Sequence, residues 1–433
     1  MIRFPKPDFE SGYVLPETQT VAARAAGWET LDVVLLALAL AVGTWLVLKH
    51  RRRGGIVALM LACLAYFGFY REGCVCPVGS IQNVAQALGD SGYGVPLVVL
   101  LFFLLPLLTA LFFGRTFCAG ICPLGAIQDI VIVKPVRLPA WLRHALGVIP
   151  TLYLGVALLL AYAGAGYLVC RYDPFVGLFR LSATLPMLIF GGGLLLLGTV
   201  VARPYCRFLC PYGVLLGWAS ACSWKRVTVT PNDCVQCRLC ETACPFDAIR
   251  VPSPERESEA RWSRVRRMGL YLVLLPALAL AGGWTGARLM RELAAVDPRV
   301  ELVAELDAEA LGVKAESGSR SEAFRASGMS EAAARAEADE VKLRLHRAGL
   351  GFGGFIGLAV GLQLAGLSIG RRRVDYEPDR QHCLACGRCF AYCPREQQRR
   401  KQGSTTEDTE DTKGTRRLLC NMKRAVGTRE GRS

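Results

Sequence analysis

Two stretches decide how this chain is read: Cys234-Val-Gln-Cys-Arg-Leu-Cys-Glu-Thr-Ala-Cys-Pro245 and Cys383-Leu-Ala-Cys-Gly-Arg-Cys-Phe-Ala-Tyr-Cys-Pro394. Both follow Cys-x2-Cys-x2-Cys-x3-Cys-Pro. That is the thiolate spacing that holds [4Fe–4S] clusters. Three cysteines at this interval let a tight loop wrap three corners of a cube, while the fourth points along the chain toward a second cube. The closing proline stops the loop from running on as a regular helix. Zinc is the alternative, but it favours two Cys-x2-Cys knuckles around one tetrahedral ion. The fourth cysteine of such a run ligates the other cluster. One cube is therefore expected on Cys234, Cys237, Cys240 and Cys393, the other on Cys383, Cys386, Cys389 and Cys244.

The two runs lie far apart in the chain, and what separates them is apolar. The 433 residues are 52% hydrophobic and 20% charged. That balance excludes a disordered chain, and the glycines show no collagen period. Runs at 31–48, 55–70, 95–113, 146–169, 181–201, 268–284 and 349–369 each approach the roughly 20 residues needed to cross a bilayer. Seven spans are expected, giving an α-helical polytopic membrane protein with a small α+β ferredoxin-like cytoplasmic domain made from two separated halves. An even number of spans between the halves returns the chain to one side, so both cysteine runs can meet.

Charge gives the orientation. With the N-terminus outside, 35 of the 51 Lys and Arg fall on the inside and 16 outside, ten of those in one long segment. Basic residues concentrate on the cytoplasmic side. The net charge of +15 thus reads as a membrane bias and not as nucleic-acid binding. The expected organisation is an outer segment 1–30, a five-span domain 31–201, a first ferredoxin half 202–267, a sixth span 268–284, an outer Ala/Glu-rich helical segment 285–348, a seventh span 349–369, a second half 370–400 and a disordered tail 401–433. The polar, proline-containing N-terminus does not read as a cleavable signal. Inner-membrane residence with a cytoplasmic C-terminus follows.

A second pattern repeats at the span mouths. Cys76-Pro-Val-Gly-Ser-Ile-Gln-Asn83, Cys122-Pro-Leu-Gly-Ala-Ile-Gln-Asp129 and Cys210-Pro-Tyr-Gly213 share Cys-Pro-x-Gly. The last two also share Arg-x2-Cys-x3-Cys-Pro, at Arg115–Pro123 and Arg203–Pro211. Four-residue spacing on a helix sets two sulfurs on one face, suited to a metal, a shared cluster or a redox-active dithiol. Cys118, Cys122, Cys206 and Cys210 form an inner candidate group. Cys74, Cys76 and Cys170 form an outer one, for a metal or a disulfide. Cys63, Cys222 and Cys420 carry no assigned role.

With these motifs the chain resembles the membrane-bound polyferredoxins related to NosR and NapH. The resemblance covers roughly residues 30–250 and 370–395 and includes Tyr172-Asp173-Pro174. It implies electron relay between a quinol pool or another donor and periplasmic partners, often flavoproteins. Only about 30 polar residues precede the first span, so no flavin is expected in this chain. The four histidines sit at span edges or in loops, which disfavours a membrane haem with paired axial histidines. The reading is an electron-transfer subunit more than an enzyme with its own substrate. A metal-maturation factor passing Cu(I) through thiolates and a redox-sensing module are the alternatives.

Overall fold

The computed structural model describes residues 26–73, 76–89, 92–164, 166–229, 234–252, 261–295, 297–311, 319–326, 328–368, 373 and 375–403. Cys74, Cys420 and most of the two terminal segments read from sequence lie outside these residues. Five helices are long and apolar enough to cross a membrane, at Gly27–His50, Arg53–Tyr70, Trp141–Tyr162, Gly269–Ala294 and Glu331–Ala365. Two shorter apolar helices, Leu97–Phe113 and Leu185–Gly198, occupy the third and fifth expected runs. A helix is what such apolar runs must form in lipid, because it satisfies its own backbone groups.

Helices α1 (Ala26–Trp45) and α2 (Arg53–Cys63) each continue into a π-helical stretch, Leu46–His50 and Leu64–Tyr70. At one end they are tied by a buried carboxylate. Asp32 pairs with Arg71 at 2.7 Å and accepts from the Tyr66 hydroxyl at 2.8 Å. Helix α3 (Pro77–Gly89) is only half-span length and packs against α4 (Leu97–Phe113). Then come two short helices, α5 (Thr116–Gly120) and α6 (Pro123–Ile130), and the long α7 (Ala140–Tyr162). The fourth run was expected to continue to residue 169. It stops at Tyr162 because Gly164 and Gly166 take positive φ, 70° and 129°, and turn the chain. Next are α8 (Leu168–Tyr172), α9 (Pro174–Phe179), α10 (Leu185–Gly198), α11 (Pro204–Phe208) and α12 (Pro211–Ala221). One buried core joins α1, α2 and α4 to the Cys-Pro helices, through residues such as Leu40, Phe102, Phe117, Phe175 and Tyr212.

The last part is built around two cysteine loops and a long helical pair. Helix α13 (Leu239–Ala243) and strand β1 (Ile249–Arg250) follow the first run. Helix α14 (Arg261–Ala294) then pairs with α17 (Glu331–Ser368), with α15 (Pro298–Ala310) and α16 (Ser319–Ala326) between them in sequence. Both long helices run unbroken from the apolar stretch into the Ala/Glu-rich one. Gly282 and Gly286 face Gly349, Gly353 and Gly357 so closely that an added Cβ would press into the opposite backbone. Small residues permit this approach between helices in lipid. Val300, Val303, Leu306, Phe324, Ala338 and Val341 give the Ala/Glu-rich part its own apolar core.

Strand β2 (Glu377–Pro378), α18 (Arg388–Tyr392) and α19 (Pro394–Gly403) complete the chain. β2 pairs antiparallel with β1, Ile249 opposite Pro378 and Arg250 opposite Glu377. α18 packs on α13. The second cysteine segment therefore lies directly against the first. Arg51, just beyond α1, anchors this assembly to the helical bundle through a buried ion pair with Glu396 at 2.8 Å.

Candidate iron–sulfur sites

The two cysteine runs adopt one loop conformation twice. Gln236 and Arg238 take positive φ, 50° and 62°, and the equivalent Ala385 and Gly387 take 54° and 77°. Each loop ends in a one-turn helix, α13 or α18, followed by an extended cysteine, Cys244 or Cys393. Alternating left- and right-handed residues turn successive N–H groups toward one side, a concavity that suits anions and iron–sulfur centres. Sequence spacing alone exposed only Gly387 as a cue to this geometry.

Two cavities form between the loops. One is lined by Cys234, Cys237, Cys240 and Cys393, with Val229, Tyr376 and Arg238 around them. The other is lined by Cys244, Cys383, Cys386 and Cys389. Each holds about 310 or 330 Å³ of atom-free space, partly open to solvent. Three thiols come from one run and the fourth from the other. Among the described residues no three His, Cys, Asp or Glu side chains converge tightly enough to grip one metal ion. The thiols surround a wider space. Burial pushes the Cys240 thiol up to about 11 and Cys383 up to about 12, and also raises Cys244 and Cys389. An iron centre held by such thiols would have to displace their protons.

His382 does not face a cavity wall. Its Nδ1 lies 2.8 Å from Asp379 Oδ1, and Asp379 also accepts from the backbone N–H of Gln381 and His382 and from Arg250 Nε at 2.8 Å. Burial works against this carboxylate's charge. Its bond to His382 and the nearby Arg250 nonetheless hold its pKa well below the usual range. Asp379 thereby fastens the turn that leads into Cys383, whose N–H donates to the Asp379 carbonyl at 3.0 Å.

The Cys-Pro motifs fold as a second repeated unit. The four-residue spacing suits one helix face, while the proline and glycine of each motif suggest a short broken helix. In the structure the helix breaks between the two cysteines. Cys118 lies in α5 and Cys122 is the extended residue before Pro123 of α6. Cys206 lies in α11 and Cys210 stands before Pro211 of α12. In both copies the second cysteine's N–H reaches back to the residue before the first cysteine, Phe117 or Tyr205, at 3.1 and 2.8 Å. Proline at the first helical position enforces this restart. Cys210 Sγ accepts from the Gly213 N–H at 3.3 Å. Cys118, Cys122, Cys206 and Cys210 all lie within electrostatic reach of one another.

Several residues in this unit carried no role in the sequence reading. Gln128 joins the copies by accepting from the Tyr205 N–H at 3.0 Å and donating to Cys206 Sγ at 3.4 Å. Gln82, its counterpart after Cys76, accepts from the Val169 N–H, just before Cys170, at 3.1 Å. The arginine of each copy rests on the glycine of the other. A Cβ on Gly125 would stand 3.0 Å from Arg203 Nη1, and one on Gly213 would stand 3.2 Å from Arg115 Nη2. The repeated Gln, Gly and Arg were visible in the motifs, but their partners lie 75 residues or more away.

The expected outer thiols are only partly described. Cys170 is exposed, with its sulfur 3.0 Å from the position of a Cβ on Gly79. Cys76 lines one cavity with Cys122, which the sequence reading had grouped on the other side. Cys63 is buried and Cys222 exposed.

Comparison with known proteins bears on both units. A 4Fe-4S binding domain model matches residues 95–148 and 183–228, which include the four motif cysteines. A second 4Fe-4S binding domain model matches residues 227–250, which include the first run. An uncharacterized protein of Methanocaldococcus jannaschii is 29% identical over 192 residues, 42% of this chain and 77% of that protein. NirI of Paracoccus denitrificans is 33% identical over 154 residues, 32% of this chain and 22% of NirI. YccM of Escherichia coli, named as an electron transport protein, is 24% identical over 197 residues, 41% of this chain and 53% of YccM. No solved structure matches. In its apolar helices, its matches to 4Fe-4S binding domains and these relatives, the chain is similar to 4Fe-4S membrane electron-transfer proteins.

Proposed function

We propose that this chain is a membrane electron carrier of a respiratory-type system. In this reading Cys234, Cys237, Cys240 and Cys393 hold one [4Fe–4S] cube, and Cys383, Cys386, Cys389 and Cys244 hold a second. Cys118, Cys122, Cys206 and Cys210 hold a third thiolate-ligated centre in the membrane domain. The observation that carries the proposal is the crossed lining of the two loop cavities, each with three thiols from one run and one from the other. The repeated left-handed pairs and the 4Fe-4S model over the Cys-Pro motifs support it.

Such centres supply one-electron chemistry when bound. The protein sets the order of the sites. Cys118 packs against the small apolar cluster of Ala202, Phe246 and Leu384 that also carries Cys244, Cys383 and Cys386. The second cube site and the membrane thiols are thus neighbours. Centres held at these two sites would be placed to exchange single electrons, one being oxidised as the other is reduced. A hydrocarbon core of about 30 Å is too wide for one hop. Cys76, across a cavity from Cys122, and Cys170 extend the thiol series toward the far side. The seven-span topology has the cubes and C-terminus in the cytoplasm and the N-terminus outside, in the inner membrane. The partners are redox proteins, among them a periplasmic flavoprotein, and a quinone.

Iron and sulfide analysis with a redox titration of the purified protein tests this. Two cluster signals are expected, plus iron that is lost in Cys118→Ser or Cys206→Ser. Those two variants should keep both cube signals and lose transfer to an outer acceptor. Unchanged transfer in both would refute the relay role of the membrane thiols.

A further inference from the structure

Arg203 begins the second Arg-x2-Cys-x3-Cys-Pro motif, and nothing in the relay above uses it. It is only 1% exposed, although burying a guanidinium is costly unless its charge is answered. Its backbone is held in the left-handed region, φ 48° and ψ 62°. A bulky side chain adopts that conformation only where its surroundings impose it, and such strain clusters at functional sites. Nε lies 3.2 Å from Asp129 Oδ1, and Nη1 donates to the Cys118 carbonyl. The guanidinium carbon lies 5.6 Å from the centre of the Phe246 ring. Nη2 is buried and has no hydrogen-bond partner among the described residues. Cys118, Cys206 and Cys386 are all within its electrostatic reach. Asp129 also receives Arg388, at 3.5 Å, and Arg53 lies within its electrostatic reach, so three arginines face one carboxylate and positive charge remains.

We propose that Arg203 is a shared potential-setting residue, standing between the membrane thiols and the Cys386 cube site and raising the reduction potential of both centres. The inference rests on the functional reading above. A thiolate-held iron–sulfur centre is anionic, and its reduced form carries one more negative charge. A fixed positive charge therefore favours reduction, and hydrogen bonds to cluster sulfur act in the same direction. The unpartnered Nη2 is a donor left for that purpose. Gly125, the glycine of the opposite motif, supplies the space in which the guanidinium sits. Arg203 is a positioning residue and ligates nothing itself.

The test is a redox titration of the whole detergent-solubilised protein, followed by electron paramagnetic resonance, for wild type, Arg203→Gln and Arg203→Lys. In Arg203→Gln the reduced-to-oxidised ratio of the membrane centre and of the Cys386 cube should fall about tenfold at fixed ambient potential. That is a downward shift of about 59 mV for a one-electron couple. The Cys234 cube should not move. Arg203→Lys, which keeps the charge, should shift less than Arg203→Gln. Should Arg203→Gln fail to accumulate, Gly125→Ala displaces the guanidinium without removing it and should move the same two signals. Loaded Arg203→Gln with unchanged potentials overturns the assignment and leaves the relay standing. An equal shift at all three centres overturns it as well. Wild-type protein without iron–sulfur signals overturns both.

Discussion

Removing Arg51 should release the second cysteine segment from the bundle without disturbing the apolar helices. Arg51 Nε donates to Glu396 Oε1 at 2.8 Å, and Nη2 donates to the carbonyls of Thr228 and Val229 at 2.8 and 2.9 Å. Its guanidinium lies 4.9 Å from the centre of the Phe390 ring. One side chain thus joins the end of α1 to the approach of the first cysteine run and to both helices that flank Cys393. The two charged groups are 7% and 1% exposed. Breaking a buried pair on one side costs about 3–5 kcal/mol. Arg399, 4.0 Å from the other carboxylate oxygen and half-exposed, answers part of the stranded charge. The lower figure, about 3 kcal/mol, is therefore the one to use, and it corresponds to roughly a hundredfold in an equilibrium constant. The assay is hydrogen exchange read by mass spectrometry on peptides covering 388–403. Arg51→Ala should lower protection there about a hundredfold and leave peptides of α4 and α7 unchanged. Arg51→Met with Glu396→Met should recover most of the loss, because no charge is then left buried. Protection within threefold of wild type in Arg51→Ala, or a double variant as damaged as the single one, would show that the ion pair does not dock this segment.

Two further outcomes follow from the loop geometry. Cys393→Ser should degrade the signal of the Cys234 cube, and Cys244→Ser that of the Cys386 cube; spectra in which each serine damages its own run's cube would rule out the crossed arrangement. Asp379 has a depressed carboxylate pKa in the folded protein. Its contribution is therefore fully present above the unfolded carboxylate range, near pH 4, and is lost as pH falls through the lower folded value. At pH 7 the carboxylate is fully ionised, and Asp379→Asn should lower the melting temperature of the cluster segment there. An equal melting temperature for the variant at pH 7 would count against this anchoring role.

What could be read from the sequence was whatever repeats at short range. The eight loop cysteines carry a fixed interval, and the apolar runs carry their length, so both were visible without coordinates. The fourth run was overextended because Gly164 and Gly166 interrupt it only through their φ angles. The helix break inside each Cys-x3-Cys pair was half visible in the proline. Residues whose meaning depends on a distant partner were not legible. Glu396 is an ordinary polar residue until Arg51, 345 positions earlier, is placed beside it. Gly125 and Arg203 are motif letters until the two copies are seen to face each other. The pairing of Cys76 with Cys122 across one cavity depends on where a half-length helix, α3, begins in depth, and no periodicity records depth.

The crossed lining also bears on how the protein is made. Under the proposed ligand sets, a chain released before residue 383 has three thiols for one cube and one for the other, and completes neither. The closing segment follows α17 in sequence, and α17 packs on α14 along their glycines. Closing the roughly 140-residue loop between the runs costs only slowly more entropy with length, and the helical pair holds its ends in place. Completion of either cube is thereby deferred until the second run has been made, so a chain cut before it presents bare loop thiols and neither cube.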